Sequence, residues 1–240
     1  MDEQTMLQHG QINVKGEFMW GSNYTFLVDV EHSAGTILAV YKPSRGERPL
    51  WDFPAASLAH REVAAYLVSQ ALGWNFVPPT AFREQAPLGP GSLQLFIHHD
   101  PEYHYFNFSE RDIQRLRPVV AFDFLINNAD RKGSHILKDE TDHLWLIDHG
   151  LSFHEENKLR TVLWDFVGEN LPDTICEDLS QLHSILTGPA AGASSLSTQL
   201  LAHLSPEEVN ALAARAERMV VNGSFPAPDP ERRPFPWPQL

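Results

Sequence analysis

The chain has 240 residues, enough for one domain or two small lobes with a substantial core, and a formal net charge of -13. So acidic a protein is a poor non-specific partner for nucleic acid or an anionic membrane, and no apolar run approaches the roughly 20 residues of a membrane span. The single cysteine, Cys176, excludes an internal disulfide, and the start Met1-Asp2-Glu3-Gln4-Thr5 lacks the basic and apolar regions of a signal peptide, so a reducing cytoplasmic setting is expected.

The first hundred residues read as strands around one helix. Segments 11–18 and 24–30 alternate apolar and polar residues and predict a hairpin. Its connection holds Gly16 and Gly21-Ser22, where small residues and backbone N–H groups suit a phosphate-covering loop, although Trp20 is bulky and the pattern is not a strict G-x-G-x-x-G. Gly35 turns into 36–41, a β-branched apolar run that ends at Lys42 and is stopped by Pro43. Segment 54–72 carries Leu58, Val63, Tyr66, Leu67 and Leu72 at helical spacing, with Gly73 as its stop. Val77-Pro78-Pro79-Thr80 is extended, 92–98 is a second apolar strand, and the polar and aromatic 100–108 reads as the crossing between two lobes.

The rest is mostly helical. Ser109 caps a short helix through Arg117, and Pro118 suits the first turn of another that contains Val119, Val120, Phe122, Phe124, Leu125 and Ile126. Segments 136–137 and 144–147 are short strands around a turn at 139–142, and helices follow at about 176–186 and 205–221. Segment 187–197 is a small-residue loop, and 222–240 is a Pro-rich extended tail that Phe235 and Trp237 would lay against the body. Arg45 and Arg48, like Arg111, Arg115 and Arg117, read as solvated surface charges.

The chemistry concentrates in Asn128-Ala129-Asp130-Arg131-Lys132-Gly133-Ser134-His135 and in Leu146-Ile147-Asp148-His149-Gly150. Phosphoryl transfer needs one carboxylate to orient or deprotonate an acceptor and two ligands to hold a metal on phosphates. Asp130, just past the most apolar helix, suits the base, and Lys132 suits a cation against the transferred group. His135 and Asp148 suit the two ligands. A carboxylate at the end of a buried strand is costly unless compensated, and a metal ion compensates it. An imidazole is softer than an amide or carboxylate oxygen and better suited to Mn²⁺ than to Mg²⁺. Lys42, at a strand end, would reach phosphates, and Glu62 on the next helix would hold it in place. Blander readings stay open. Asp130 as a brace of its turn, His135 as a hydrogen-bonded loop histidine, Lys42 and Glu62 as unrelated surface charges, and the glycine segment as an ordinary hairpin turn all fit the same residues. The order Lys42, Glu62, Asp130, Asp148 favours the chemical reading. His98-His99, His143 and His149 lack zinc-ligand spacing, no G-x-S-x-G is present, and Cys176 stands alone, so hydrolytic readings rank low.

These residues resemble the phosphatidylinositol 3-/4-kinase-like branch of the protein-kinase superfold, and within it a bacterial, actinobacterial-type group. The resemblance spans most of 11–220 and rests on Ala39-Val40-Tyr41-Lys42-Pro43, Arg61-Glu62-Val63-Ala64, Val77-Pro78-Pro79-Thr80, the Asp130-Arg131 loop and Ile147-Asp148-His149-Gly150. It implies an α+β, two-lobed, protein-kinase-like fold: a β-rich N-lobe over 1–98, a mainly helical C-lobe over 99–223, and a Pro-rich tail over 224–240. It also implies ATP in the cleft, with Lys42 paired to Glu62 and contacting phosphates, Phe96 and Ile97 presenting backbone to adenine, Asp130 as base, and His135 and Asp148 holding Mg²⁺ or Mn²⁺. Two positions depart from that pattern: His135 where the branch has Asn, and His149 where it has Phe. The expected activity is ATP- and metal-dependent transfer of the γ-phosphate to a hydroxyl of a protein or small-molecule acceptor. A pseudokinase that holds nucleotide or a partner, and an AMP-transferring enzyme of the same fold, are the alternatives. A lipid acceptor is disfavoured because Glu155-Glu156 follow Asp148 and no basic amphipathic helix is evident, so neither nucleic acid nor stable membrane association is expected.

Overall fold

The computed structural model describes residues 2–18, 24–188 and 195–240. Helix α1 (Glu3–His9), outside the predicted elements, is started by Asp2, whose carboxylate accepts the Thr5 N–H. Strands β1 (Gln11–Glu17), β2 (Phe26–His32) and β3 (Gly35–Pro43) form an antiparallel meander. Strands β4 (Thr80–Arg83) and β5 (Gly91–Leu95) complete one five-stranded sheet in the order β1-β2-β3-β5-β4. With four residues, β4 is too short to show a period and begins where the extended Val-Pro-Pro-Thr ends. In the sheet register Lys42 lies opposite Ser92 and Pro43 opposite Gly91. A Cβ on Gly91 would sit 2.7 Å from the Pro43 Cα, so the strand end that carries Lys42 needs glycine beside it.

Helix α2 (Leu58–Ala71) starts later than the predicted 54. Ala56 takes a left-handed φ of 58° that a helix does not allow, and the Glu47 carboxylate then accepts the first N–H groups, from Leu58 at 3.2 Å and Ala59 at 3.0 Å. The cap comes from a distant residue, and nothing local announced it.

Ser109 caps α3 (Glu110–Gln114) as expected, and α4 (Arg117–Ile126) has Pro118 in its first turn and ends at a left-handed Asn127. The short strands β6 (Ile136–Lys138) and β7 (Leu144–Leu146) pair antiparallel. Helices α5 (Asp173–Thr187), α6 (Leu196–Leu201) and α7 (Pro206–Asn222) follow, α7 with a Ser205–Glu208 capping box. Only the start of α6, Leu196 and Ser197, corrects the predicted loop, the rest lying outside the predicted elements; Ser195 caps the helix and it packs on α2.

Two apolar clusters organise the chain. The smaller one joins Leu7 of α1 to Val28, Val30, Ala39, Tyr41 and Leu93 of the sheet. The larger one joins the inner face of α2 to α4, β6, β7, α5 and α7. Each fully buried Leu, Ile or Phe there contributes roughly 1.5–3 kcal/mol, which is why α4, apolar almost all round, forms the rigid centre. The tail does lie on the body, but Trp237 is 77% exposed and Phe235 38% exposed. Phe225 anchors its start at 1% exposure, and backbone bonds from Thr161 N–H to the Pro234 carbonyl (3.0 Å) and from Gly133 N–H to the Gln239 carbonyl (2.8 Å) hold the rest. The five arginines read as surface charges are accounted for in part by acidic partners: Arg111 with Asp142, Arg115 with Asp112, and Arg117 with Glu169.

Candidate active site

Strand β3 and helix α2 bring Lys42 and Glu62 together. The Lys42 ammonium donates to Glu62 Oε1 and, at 2.9 Å, to Asp148 Oδ1. Burial works to strip its proton, but the Asp148 and Glu62 carboxylates outweigh it and hold the ammonium above its ordinary range. Glu62 is 2% exposed, and its second oxygen accepts the His149 N–H at 3.0 Å. One turn of α2 therefore carries both ends of a clamp, because the neighbouring Arg61 reaches the other way, to the Ser152 carbonyl (2.5 Å) and to Glu208 of α7.

Asp148 follows β7 in a left-handed backbone conformation, φ 63°, that non-glycine residues adopt only where surroundings enforce it. Its burial pushes the carboxyl up, but Lys42 and then His135 outweigh that and hold it well below the usual carboxylate range. The side chain is 47% exposed to the cleft, so water screens part of this attraction. His135 Nε2 lies 3.3 Å from Asp148 Oδ2. Burial first, and then Arg131, Lys132 and Lys42 against the pull of Asp148, lower the imidazole to about 3.

A neutral imidazole beside an ionised carboxylate is the protonation state that metal binding requires. The His135 Nδ1 accepts the Lys132 N–H at 3.5 Å, so a metal on Nε2 would move the ring proton to Nδ1 at the expense of one long bond. Among the described residues no third His, Cys, Asp or Glu joins this pair. The remaining ligands of a divalent ion would be phosphate oxygens and water, as is usual for Mg²⁺ bound with a phosphorylated substrate. The donor set fits such an ion.

Asp130 stands in the loop after α4, its N–H bonded to the Asn128 Oδ1 at 3.0 Å and its carboxylate 3.4 Å from the Lys132 ammonium. Burial raises this carboxyl to about 6, with Asp148 adding to the rise and Lys132 and Arg160 opposing it. That is the range in which a carboxylate both exists as base at neutral pH and holds a proton usefully.

The loop's support was not legible in the sequence. Arg131, fully buried, binds Asp123 of α4 through three contacts at 2.9 to 3.1 Å and donates to the carbonyls of Ile147 (2.9 Å) and His135 (3.3 Å). Its Nη2 also lies 2.9 Å from His149 Nε2. A guanidinium has no lone pair to offer, so Nε2 accepts and the His149 proton sits on Nδ1, 3.8 Å from Glu62. Burial and Arg131 keep His149 well below its ordinary range. His149 is thus a neutral imidazole that ties the loop of Asp148 to the loop of Asp130. Asp123 offered no signal, being one carboxylate in an apolar helix.

Lys42, Glu62, Phe96, Ile97, Asp130, Lys132, His135 and Asp148 all line one cleft of about 350 Å³. Gly21 and Ser22 lie outside the described residues, though Phe18, Tyr24 and Thr25 on either side of them line the cleft. The Phe96 N–H is spent on the Leu38 carbonyl, and the Ile97 carbonyl faces His99 Nδ1 at 2.9 Å. Val40, Leu137 and Ile147 add apolar wall that sequence reading did not single out. A Cβ on Gly150 would come within 3.2 Å of the Leu58 Cβ, so glycine lets the segment after Asp148 pass α2.

No protein-family model matches the chain. Among solved structures it is similar to hydra Fam20, solved with a sugar, at 16% identity and a TM-score of 0.59, over 91% of this chain and 87% of that one. It is also similar to the golgi casein kinase at 15% identity and a TM-score of 0.53, over 92% of this chain and 74% of that one. The fold is accordingly a two-lobed, protein-kinase-like α+β fold with a β-rich N-lobe and a mainly helical C-lobe. In sequence, 44% of the chain matches 23% of phosphatidylinositol 4-kinase gamma 4 of Arabidopsis thaliana at 32% identity. A second relative, Protein Rv2133c of Mycobacterium tuberculosis, is 38% identical over 99% of this chain and 95% of its own length. The chain belongs to the family of that mycobacterial protein.

Proposed function

We propose that the protein is an ATP-dependent phosphotransferase that moves the γ-phosphate to a hydroxyl of a protein or small-molecule acceptor. The observation that carries this reading is the Lys42 ammonium held by both Glu62 and Asp148 in a cleft that Asp130 also lines. Lys42, positioned by Glu62, would meet the phosphates, and Phe96 and Ile97 would present backbone to the adenine. Asp130 would take the acceptor's proton as the new P–O bond forms and the bond to the ADP leaving group breaks. Lys132 would offset charge on the transferred group. His135 and Asp148 would hold a divalent ion, which when bound neutralises the phosphates and polarises them toward attack.

A membrane lipid acceptor is disfavoured because Glu155 and Glu156, both exposed, follow Asp148 where an anionic headgroup would need cations. His135, in place of an amide oxygen, favours a second reading in which the cleft holds nucleotide without turnover. The test is thermal shift with ATP and either Mg²⁺ or Mn²⁺, on wild type and Asp148→Asn, followed by mass analysis of any modified protein. A metal-dependent shift lost in the variant supports the nucleotide site. An adduct of about 80 Da marks phosphoryl transfer, one of about 329 Da marks AMP transfer, and binding without any adduct or ADP marks the second reading.

A further inference from the structure

Behind the Asp130 loop, α7, the segment after Asp148 and the tail enclose a cavity of about 220 Å³ that shares no lining residue with the cleft. Arg215 and Arg218 of α7 and Arg232 and Arg233 of the tail line it, against two carboxylates, Glu155 and Asp229. Four cations and two anions leave an excess of two positive charges in a chain whose net charge is -13. Asp229 is already engaged, accepting the Glu231 N–H at 3.0 Å and lying 3.5 Å from Arg232.

Arg215 is fixed in place. It donates Nε to the Leu125 carbonyl at 2.7 Å and Nη1 to the His154 carbonyl at 3.2 Å, which aligns the guanidinium but leaves Nη2 buried with no partner. Trp164 Nε1, on the same lining, is also buried without a partner. Buried donors are nearly always satisfied, and an orphaned charged one is costly. Burial, and next the like charge of Arg218, push the Arg215 guanidinium down to about 10. A small shift of the Arg215 and Trp164 side chains toward an anion in the cavity would give both donors an acceptor.

We propose that this cavity is a binding site for a phosphate monoester or free phosphate, separate from the cleft and held by the Arg215 and Arg218 guanidiniums with the Trp164 indole N–H. Guanidinium forks match phosphate oxygens in pairs, and a phosphate monoester carries about two negative charges near neutral pH, the excess the lining supplies. The volume is below the roughly 300–1,000 Å³ typical of sites for drug-sized ligands, which suits a small headgroup.

The test uses the full chain and three probes at matched ionic strength against chloride: inorganic phosphate, O-phosphoserine and glycerol 3-phosphate. Melting temperature should rise with probe concentration, because a ligand of the folded state stabilises it. The rise should persist in Asp148→Asn, and Arg218→Gln combined with Arg233→Gln, both exposed at the rim, should weaken apparent affinity at least tenfold. The Trp164 indole N–H resonance, assigned with Trp164→Phe, should move in the same titration. Tighter binding of either organic monoester than of phosphate would identify a phosphorylated molecule as the ligand, and the reverse order would identify free phosphate. A rise no larger than with chloride, one that survives the double variant, one that vanishes in Asp148→Asn, or a still Trp164 resonance would overturn the proposal.

Discussion

The guanidinium of Arg131 straddles the carboxylate of Asp123 at 2.9, 3.0 and 3.1 Å, with neither side chain more than 1% exposed. From that one anchor Arg131 reaches the carbonyls of His135 and Ile147 and the ring of His149. The loop that bears Asp130 and the strand end that bears Asp148 are thus registered through a single buried cation. Removing one partner leaves the other charged and uncompensated, a loss of roughly 3–5 kcal/mol. Asp123→Ala should lose that much in urea unfolding. Arg131→Lys keeps the charge but not the fork and should also destabilise. A loss below about 1 kcal/mol for Asp123→Ala would show that the pair is not the anchor described.

Glu62→Gln removes one of the two carboxylates that hold Lys42 while keeping an acceptor for the His149 N–H. Charge-assisted bonds of this kind contribute roughly 1.5–3 kcal/mol, so ATP affinity or turnover should fall about tenfold to a hundredfold. Calorimetric titration with ATP and Mn²⁺ on both proteins measures it. Unchanged affinity and rate would mean that Asp148 alone orients Lys42.

Asp130 should cost stability at neutral pH. Its folded value is about 6 against an ordinary 3.8, so the folded state holds the proton more tightly than the unfolded state. The resulting stabilisation is present below about pH 4 and is lost as pH rises through about 6. Asp130→Asn, which carries no charge to bury, should therefore be more stable than wild type at pH 7.5 by roughly 1–3 kcal/mol, and the gap should close by pH 4. The same variant should abolish transfer, and wild-type transfer should rise with pH through about 6. A stability difference that does not vary with pH would argue against the raised value.

His135→Asn replaces the neutral imidazole with an amide oxygen, a harder ligand. The wild type should show a larger ATP-dependent thermal shift with Mn²⁺ than with Mg²⁺, and the variant should move that ratio toward Mg²⁺. Equal ratios in the two proteins would remove His135 from the metal site.

What could be read from sequence was whatever a few neighbouring residues encode. The Ser109 and Ser205 caps, Pro118 at the first turn of α4, and the turn between β6 and β7 are local, and each lies where its residues predicted. The order Lys42, Glu62, Asp130, His135, Asp148 was likewise visible, and the structure gathers all five around one cleft. What failed was non-local. Helix α2 begins where Glu47 caps it, β4 exists because β5 pairs with it, and the tail is held by Phe225 and backbone bonds rather than by Phe235 and Trp237.

By itself the amino-acid order determined the helices with apolar stripes and caps, and a set of chemical residue types in a telling sequence. Periodicity and capping act over one or two turns, so they survive in any window of the chain. Only the tertiary structure decided which charges meet. Lys42 and Asp148 are 106 residues apart yet 2.9 Å from each other. Asp123 and Arg131 become a buried pair, rather than two solvated charges, because the core closed around them removes the water that would otherwise separate them.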